Sequence, residues 1–314
     1  MFNRRKGHVL LMWALTGILV TGMFSGCSQK TENSTETTQQ EQEEKETLQG
    51  HNEDPESNMG LWGRAMGSVL ISMNDGSPYY FGGYEASEAN KEAAAAILES
   101  SWQITGREDL LKQINELLQT GSRKDFLREA KEMKQMSPKE LKKAMKQLSG
   151  PLLIHFELVQ KNWETWGKSG LVAWDMCRIS HLVQWGYIAG YLTLEEAQAM
   201  IEPAAKRLQK HFTSWEEVIT NWLDGYALYA AIDLEESGND YENRMAVYQS
   251  LVEQQESKGI LFEDSLFQAE LVPISSVSYK TILKELQIEK KQNKKQKKEN
   301  QSQQEEAGSE ENIE

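Results

Sequence analysis

The sequence predicts a mainly α protein, an irregular multi-helix globular domain flanked by disordered N- and C-terminal segments. Three observations carry that prediction. Four segments place a hydroxyl residue at a helix start with a carboxylate three residues later, apolar residues then recur at helical spacing, and strand signals are few. With 314 residues, 39% hydrophobic and 26% charged, the chain has the composition of an ordinary globular protein, which excludes collagen-like and wholly disordered classes. The net charge of −14 also argues against nucleic acid, because phosphate binding needs a concentrated basic surface.

Residues 1–26 read as a secretory signal. Arg4, Arg5 and Lys6 form a basic start, an apolar stretch runs from Val9 to Phe24, and Phe24-Ser25-Gly26 precede Cys27. This end of the signal resembles the bacterial lipobox, with Phe24 where leucine is commoner. The resemblance implies that Cys27 is acylated and becomes the mature N-terminus, with more than one acyl chain. Two chains anchor stably where one is marginal, so the expected location is the cell membrane or outer membrane, facing outside the cytoplasm. An uncleaved anchor is the competing reading, although the apolar run is short for a span of about 20 residues. Removing residues 1–26 takes away three positive charges and moves the net charge from −14 to −17. With Cys27 lipidated, Cys177 has no disulfide partner and is expected to be a buried thiol.

From Ser28 to Asn58 the chain holds nine acidic residues, two basic ones and a single large aliphatic, Leu48. Such a segment cannot bury enough apolar surface to offset its ordering entropy, so 27–58 reads as lipidated cysteine plus spacer. A charged low-complexity tail, 285–314, contains six lysines between Lys290 and Lys298 and ends in an acidic run. Between them, 59–284 is expected to form the helical domain.

The helix starts are Thr105-Gly106-Arg107-Glu108, Ser137-Pro138-Lys139-Glu140, Thr193-Leu194-Glu195-Glu196 and Ser214-Trp215-Glu216-Glu217. Leu110, Leu111, Ile114, Leu117 and Leu118 follow the first; Trp215, Val218, Ile219 and Trp222 follow the last. Pro203 is expected to split or kink the helix begun at Thr193, near Ile201. Tyr79-Tyr80-Phe81, bounded by Gly76, Pro78 and Gly82-Gly83, reads as an ordered loop.

Chemistry concentrates between Leu171 and Tyr229. On a helix beginning near Gly170, Leu171, Trp174, Asp175, Arg178, Leu182, Trp185 and Ala189 share a face, and an acid and base three apart among tryptophans must pair. A structural ion pair is the plainer reading. The functional one is a polar pocket lined by Asp175, Arg178, Ser214 and Asn221 and walled by Trp174, Trp185 and Trp222. No recognised catalytic motif, phosphate loop or zinc spacing is present, so no cofactor and no metal is expected. Cys177 and His181 supply only two donors from one helix. His211 reads as a cation at a helix C-terminus and His155 as a satisfied interface residue.

The order Trp174-Asp175-x-x-Arg178, then Trp185-Gly186-Tyr187, then Ser214-Trp215 and Gly225-Tyr226 resembles the bacterial domain-of-unknown-function family numbered 1266. The upstream Ile97, Trp102, Ile104, Thr105, Glu108, Gly121 and Phe126 are similar too, so the resemblance covers about 95–232. It implies a largely helical domain without an assigned reaction. The residues therefore suggest an envelope lipoprotein presenting a domain that binds an envelope protein or small ligand. An envelope hydrolase using Asp175 with His181 or His211 is the alternative.

Overall fold

A computed structural model describes residues 57–85, 87–258, 261–272 and 276–286. The signal-like segment, Cys27, nearly all of the spacer and the Lys290–Lys298 block lie outside the described residues. Among the described residues there are eleven α-helices and no strand: α1 Asn58–Met73, α2 Glu88–Trp102, α3 Arg107–Gln119, α4 Arg123–Lys134, α5 Pro138–Met145, α6 Pro151–Trp166, α7 Val172–Ile188, α8 Leu194–His211, α9 Trp215–Ala230, α10 Asp240–Lys258 and α11 Asp264–Phe267. A 3₁₀ turn joins α6 to α7, and 279–286 is helical. None of the described helices is long and apolar enough to cross a membrane.

The capping chemistry read from sequence forms these helix starts with two adjustments. Ser137 with Glu140, and Thr193 with Glu196, make both halves of the reciprocal box. At α9 only half forms: the Glu217 N–H donates to Ser214 Oγ at 3.2 Å, while the Glu217 carboxylate accepts from the N–H and hydroxyl of Thr213. At α3 the cap is Gly106 rather than Thr105. Starting one residue later moves the N3 carboxylate to Asp109, which accepts from the Thr105 hydroxyl at 2.9 Å. Pro203 does not split α8, which runs unbroken from Leu194 to His211. Proline forfeits one backbone bond, but Ala199, Met200, Ile201, Ala204 and Ala205 around it are buried against α1 and α7, and that packing holds the turn together.

Helix α7 is the axis of the fold. Fifteen of its seventeen residues are buried, and it packs against α1, α2, α3, α4, α8 and α9. A helix surrounded this way shows little surface to water, so its buried polar residues must bond within the protein. Ser180 and Gln184 both donate to the Gly63 carbonyl of α1, and Gln184 also accepts the Gly82 N–H at 3.0 Å. That last bond fixes the aromatic loop, whose Phe81 is buried as its glycines adopt positive φ. Asn221 of α9 accepts the Ala173 N–H at 2.8 Å and donates to the Gly170 carbonyl at 2.9 Å, tying down the start of α7.

The far end of the chain is stitched in by long polar side chains. Trp62 and Trp215, ring centroids 4.2 Å apart, donate their indole N–H groups to the carbonyls of Leu266 and Glu263. Arg107 uses all five of its donors, on both carboxylate oxygens of Glu196, both of Glu285 and the Tyr191 carbonyl.

The close approach of α7 and α9 depends on Gly225, where a Cβ would overlap Cβ and Cγ of Trp174. Because those atoms sit near the α7 backbone, they cannot swing aside. Replacing Gly225 with alanine is expected to lower stability in urea unfolding by about 1–3 kcal/mol, the usual cost of overpacking.

Candidate functional site

The densest polar constellation lies where α3 ends and α4 begins. Gly121 turns the chain there with φ of +58°, and a Cβ at this position would overlap both carboxylate oxygens of Asp175. Glycine is thus required for its conformation and for its lack of a side chain. The turn leaves the first N–H groups of α4 without side-chain caps from their own segment. The carboxylate of Asp175, fully buried on α7, supplies the missing acceptors. It takes the N–H of Ser122 at 2.9 Å and that of Arg123 at 3.1 Å. Negative charge at a helix N-terminus is also favoured by the helix dipole.

Two guanidinium groups complete the shell. Arg123 Nη1 reaches Asp175 Oδ2 at 2.7 Å, and Arg178 Nη2 reaches Oδ1 at 2.5 Å and the Ser122 hydroxyl at 2.9 Å. Arg123 also donates to the carbonyls of Leu117 and Leu118 at the end of α3, and Arg207 of α8 joins it on Leu118 at 2.7 Å. The negative end of α3 therefore faces arginines and the positive end of α4 faces a carboxylate. Around one acid stand three bases, an excess of positive charge in an acidic chain.

Arg178 carries this cluster outward. Its guanidinium carbon lies 4.4 Å from the Trp174 ring centroid and 5.7 Å from that of Trp102. Tyr229, 68% exposed, leans on Trp174 with centroids 5.6 Å apart. Burial lowers the Arg178 pKa and the neighbouring Asp175 opposes that shift. The outcome is a cation between aromatic planes under an exposed tyrosine, the residue types that dominate binding hot spots.

The residues expected to share one pocket separate into three places. Trp174, Asp175 and Arg178 meet at the α3–α4 junction. Ser214 caps α9, and Asn221 is committed to the backbone at the start of α7. Trp185 and Trp222 instead flank His181, with ring centroids 6.0 and 6.1 Å from it. The Asp175 oxygens accept four bonds, which fills their capacity and leaves nothing to offer His181 or His211. His211 is exposed and its Nδ1 lies 2.8 Å from the Arg207 carbonyl of its own helix. His155 pairs with Glu129 at 2.8 Å, and Cys177 is a buried thiol whose pKa burial pushes up.

The group around His181 is apolar in setting and polar in content. The indole N–H of Trp185, that of Trp222 and Nε2 of His181 are buried without a hydrogen-bond partner among the described residues. Burial, followed by the charges of Arg244 and Arg178, depresses the His181 pKa to about 3, so the ring is neutral near pH 7. Arg244 stacks on Tyr226 at 3.9 Å and pairs with Asp240. Asp224 accepts from the Trp166 indole at 2.7 Å, and burial raises its pKa.

Sequence reasoning missed Ser122 and Arg123 as partners of the central acid, and Arg207 as a donor to the end of α3. Gly121-Ser122 before Arg123 was the available signal for a helix start lacking a local acidic cap. The tertiary origin of that cap left no local trace. Among the described residues no group of three or more metal-ligating side chains gathers.

Comparison with known proteins gives a matching description. The model of the family "Protein of unknown function (DUF1266)" matches residues 97–261, just over half the chain and further than the motifs alone had reached. Two relatives from Escherichia coli strain K12 are similar to it. The uncharacterized protein YbeU is 29% identical over 118 residues, covering 38% of this chain and 50% of its own. The uncharacterized protein YbeR is 24% identical over 128 residues, covering 41% and 54%. The chain spans about half the length of these curated relatives. No solved structure matches it.

Replacing Asp175 with alanine strips the acceptors from α4 and leaves Arg123 and Arg178 without their carboxylate; the expected loss in chemical unfolding is about 3–5 kcal/mol. His181 predicts a pH dependence. Its folded pKa lies below the unfolded value of about 6.5, so the unfolded chain binds the extra proton in between. The stabilisation is complete above about pH 6.5 and is lost as pH falls toward 3, by up to about 4 kcal/mol. In a His181→Phe variant, stability measured across that window should fall less steeply than in the native chain; an unchanged slope would place the effect elsewhere.

Proposed function

The chain belongs to the DUF1266 family of proteins of unknown function, and we propose that it is an envelope lipoprotein, anchored through Cys27, whose helical domain binds a protein or small ligand without catalysis. The observation that carries the binding role is Arg178 held between Trp102 and Trp174 beneath the exposed Tyr229. Side chains arranged in this way are stiffened in advance, so a partner that stacks on them costs less ordering entropy. All three aromatic residues and the arginine fall within the segment that matches the family.

Support for the anchor comes from the basic start, the apolar stretch and the Phe24-Ser25-Gly26-Cys27 ending. Residues 28–56, whose composition reads as a spacer, stand between Cys27 and the domain. The membrane, reached through Cys27, is the first partner. The second is the molecule that meets the aromatic face.

Two measurements test the halves separately. Intact-mass analysis of chain purified from membranes should find residues 27–314 carrying acyl groups, and a Cys27→Ser variant should lose them; retention of Met1 would refute the anchor. For the face, a photo-crosslinking residue placed at Tyr229 should give a discrete adduct in whole envelopes, weakened roughly tenfold by Trp102→Ala. An adduct pattern identical to that from the same probe at Tyr80, also exposed, would refute the binding role.

A further inference from the structure

Helix α5 is the one helix of eight or more residues, among those whose burial is fully described, without a buried residue. It nevertheless has a strong two-sided character. Leu141, Ala144, Met145 and Leu148 lie on one side, half-buried against the body, while Lys139, Lys142, Lys143 and Lys146 point the other way and are exposed. Next to it Lys131 and Lys134 of α4 are exposed as well. Residues 131–146 hold six lysines against two glutamates in a chain whose net charge is −14.

These lysines are not consumed by the fold. Among the described residues none of the six is in an ion pair, whereas Lys91, Lys112 and Lys206 are. Of the two glutamates, Glu140 is held by the N–H and hydroxyl of Ser137 in the helix cap. Lys134 sits 5.4 Å over the Trp163 ring, beside a groove of about 180 Å³ that Met133, Leu141 and Val159 line between α4, α5 and α6. Leu152, at the start of α6, is 42% exposed. Single lysines elsewhere, such as Lys124 and Lys168, also make no ion pair among the described residues; what distinguishes this face is that six lysines stand together on it.

We propose that the lysine face of α5, with Lys131 and Lys134, is a docking surface for a membrane bearing anionic phospholipid headgroups. The charge complementarity is direct: each lysine near such a surface adds attraction that salt weakens, and four to eight together are enough to hold a segment there. The anchor favours the contact, since acyl chains on Cys27 would hold the domain at the bilayer. Docking through α5 orients the domain on its membrane, so the proposal rests on the anchored reading. The body then lies against the headgroups with α5 beneath it.

The test uses the full chain reconstituted in vesicles of phosphatidylcholine alone or with phosphatidylglycerol added. The acetylation rate of each lysine by a water-soluble reagent is read by mass spectrometry. Lys139, Lys142, Lys143 and Lys146 should react at least about fivefold more slowly in the anionic vesicles, and high salt should restore their rates. A variant with all four changed to glutamine should melt at the native temperature and lose the lipid-dependent protection of Lys131 and Lys134. Equal rates in the two vesicle types overturn the proposal, as does protection already present without vesicles, which would assign the face to an acidic segment of the chain itself or to another protein. Flotation of the chain with neutral vesicles reports on the anchor independently, so failure of the anchor and failure of the docking face are distinguished.

Discussion

A single carboxylate sets the terms on which this domain folds. Asp175 lies wholly inside, on the helix that nearly every other element touches, and a charge there is tolerable only with complete hydrogen bonding. The protein meets that requirement by turning α4 to start directly on it. The first N–H groups of α4, the guanidinium of Arg123 and the guanidinium of Arg178 each fill one acceptor position. The direction of α4, the left-handed turn at Gly121 and the end of α3 are thereby coupled to one side chain of α7. Loosening any of them strands the others.

The second constraint is proximity. Small residues allow these approaches: Gly67 of α1 receives Gln184, Gly63 of α1 makes room for Phe81 and for Ile201 of α8, Gly186 for Leu110 of α3, and Gly225 accepts Trp174. Helices brought this close gain dense dispersion contact but exclude water, so polar side chains between them must bond to backbone. Ser180, Gln184 and Asn221 do so. The trio around His181 does not, which makes it a part of the core where polarity and burial remain at odds.

How much of this was legible beforehand follows from the range of each interaction. Capping boxes span three residues, so Ser137 with Glu140 and Thr193 with Glu196 could be read directly, and the helical class with them. The Asp175–Arg178 pair, three apart on one helix, was equally accessible. The partner Arg123 lies 52 positions from Asp175, and nothing local marks it. The residues named for the polar pocket stand apart for two reasons: Ser214 is spent on the cap of its own helix, three residues away, and Asn221 on the Gly170 and Ala173 backbone, which only the folded chain places nearby. At Pro203 local propensity pointed to a break, and burial against two helices prevailed.

The paired indoles of Trp62 and Trp215 bear on modularity. The family match stops at residue 261, yet both rings donate to carbonyls beyond it, and Arg107 reaches as far as Glu285. Cut at the family boundaries, the polypeptide would lose Trp62 and leave the Trp215 indole N–H without its acceptor and the Arg107 guanidinium missing one of its carboxylates. In this protein the heritable unit and the physical unit therefore have different borders. A shuffling event that moved the domain intact would have to carry the chain from α1 through residue 286.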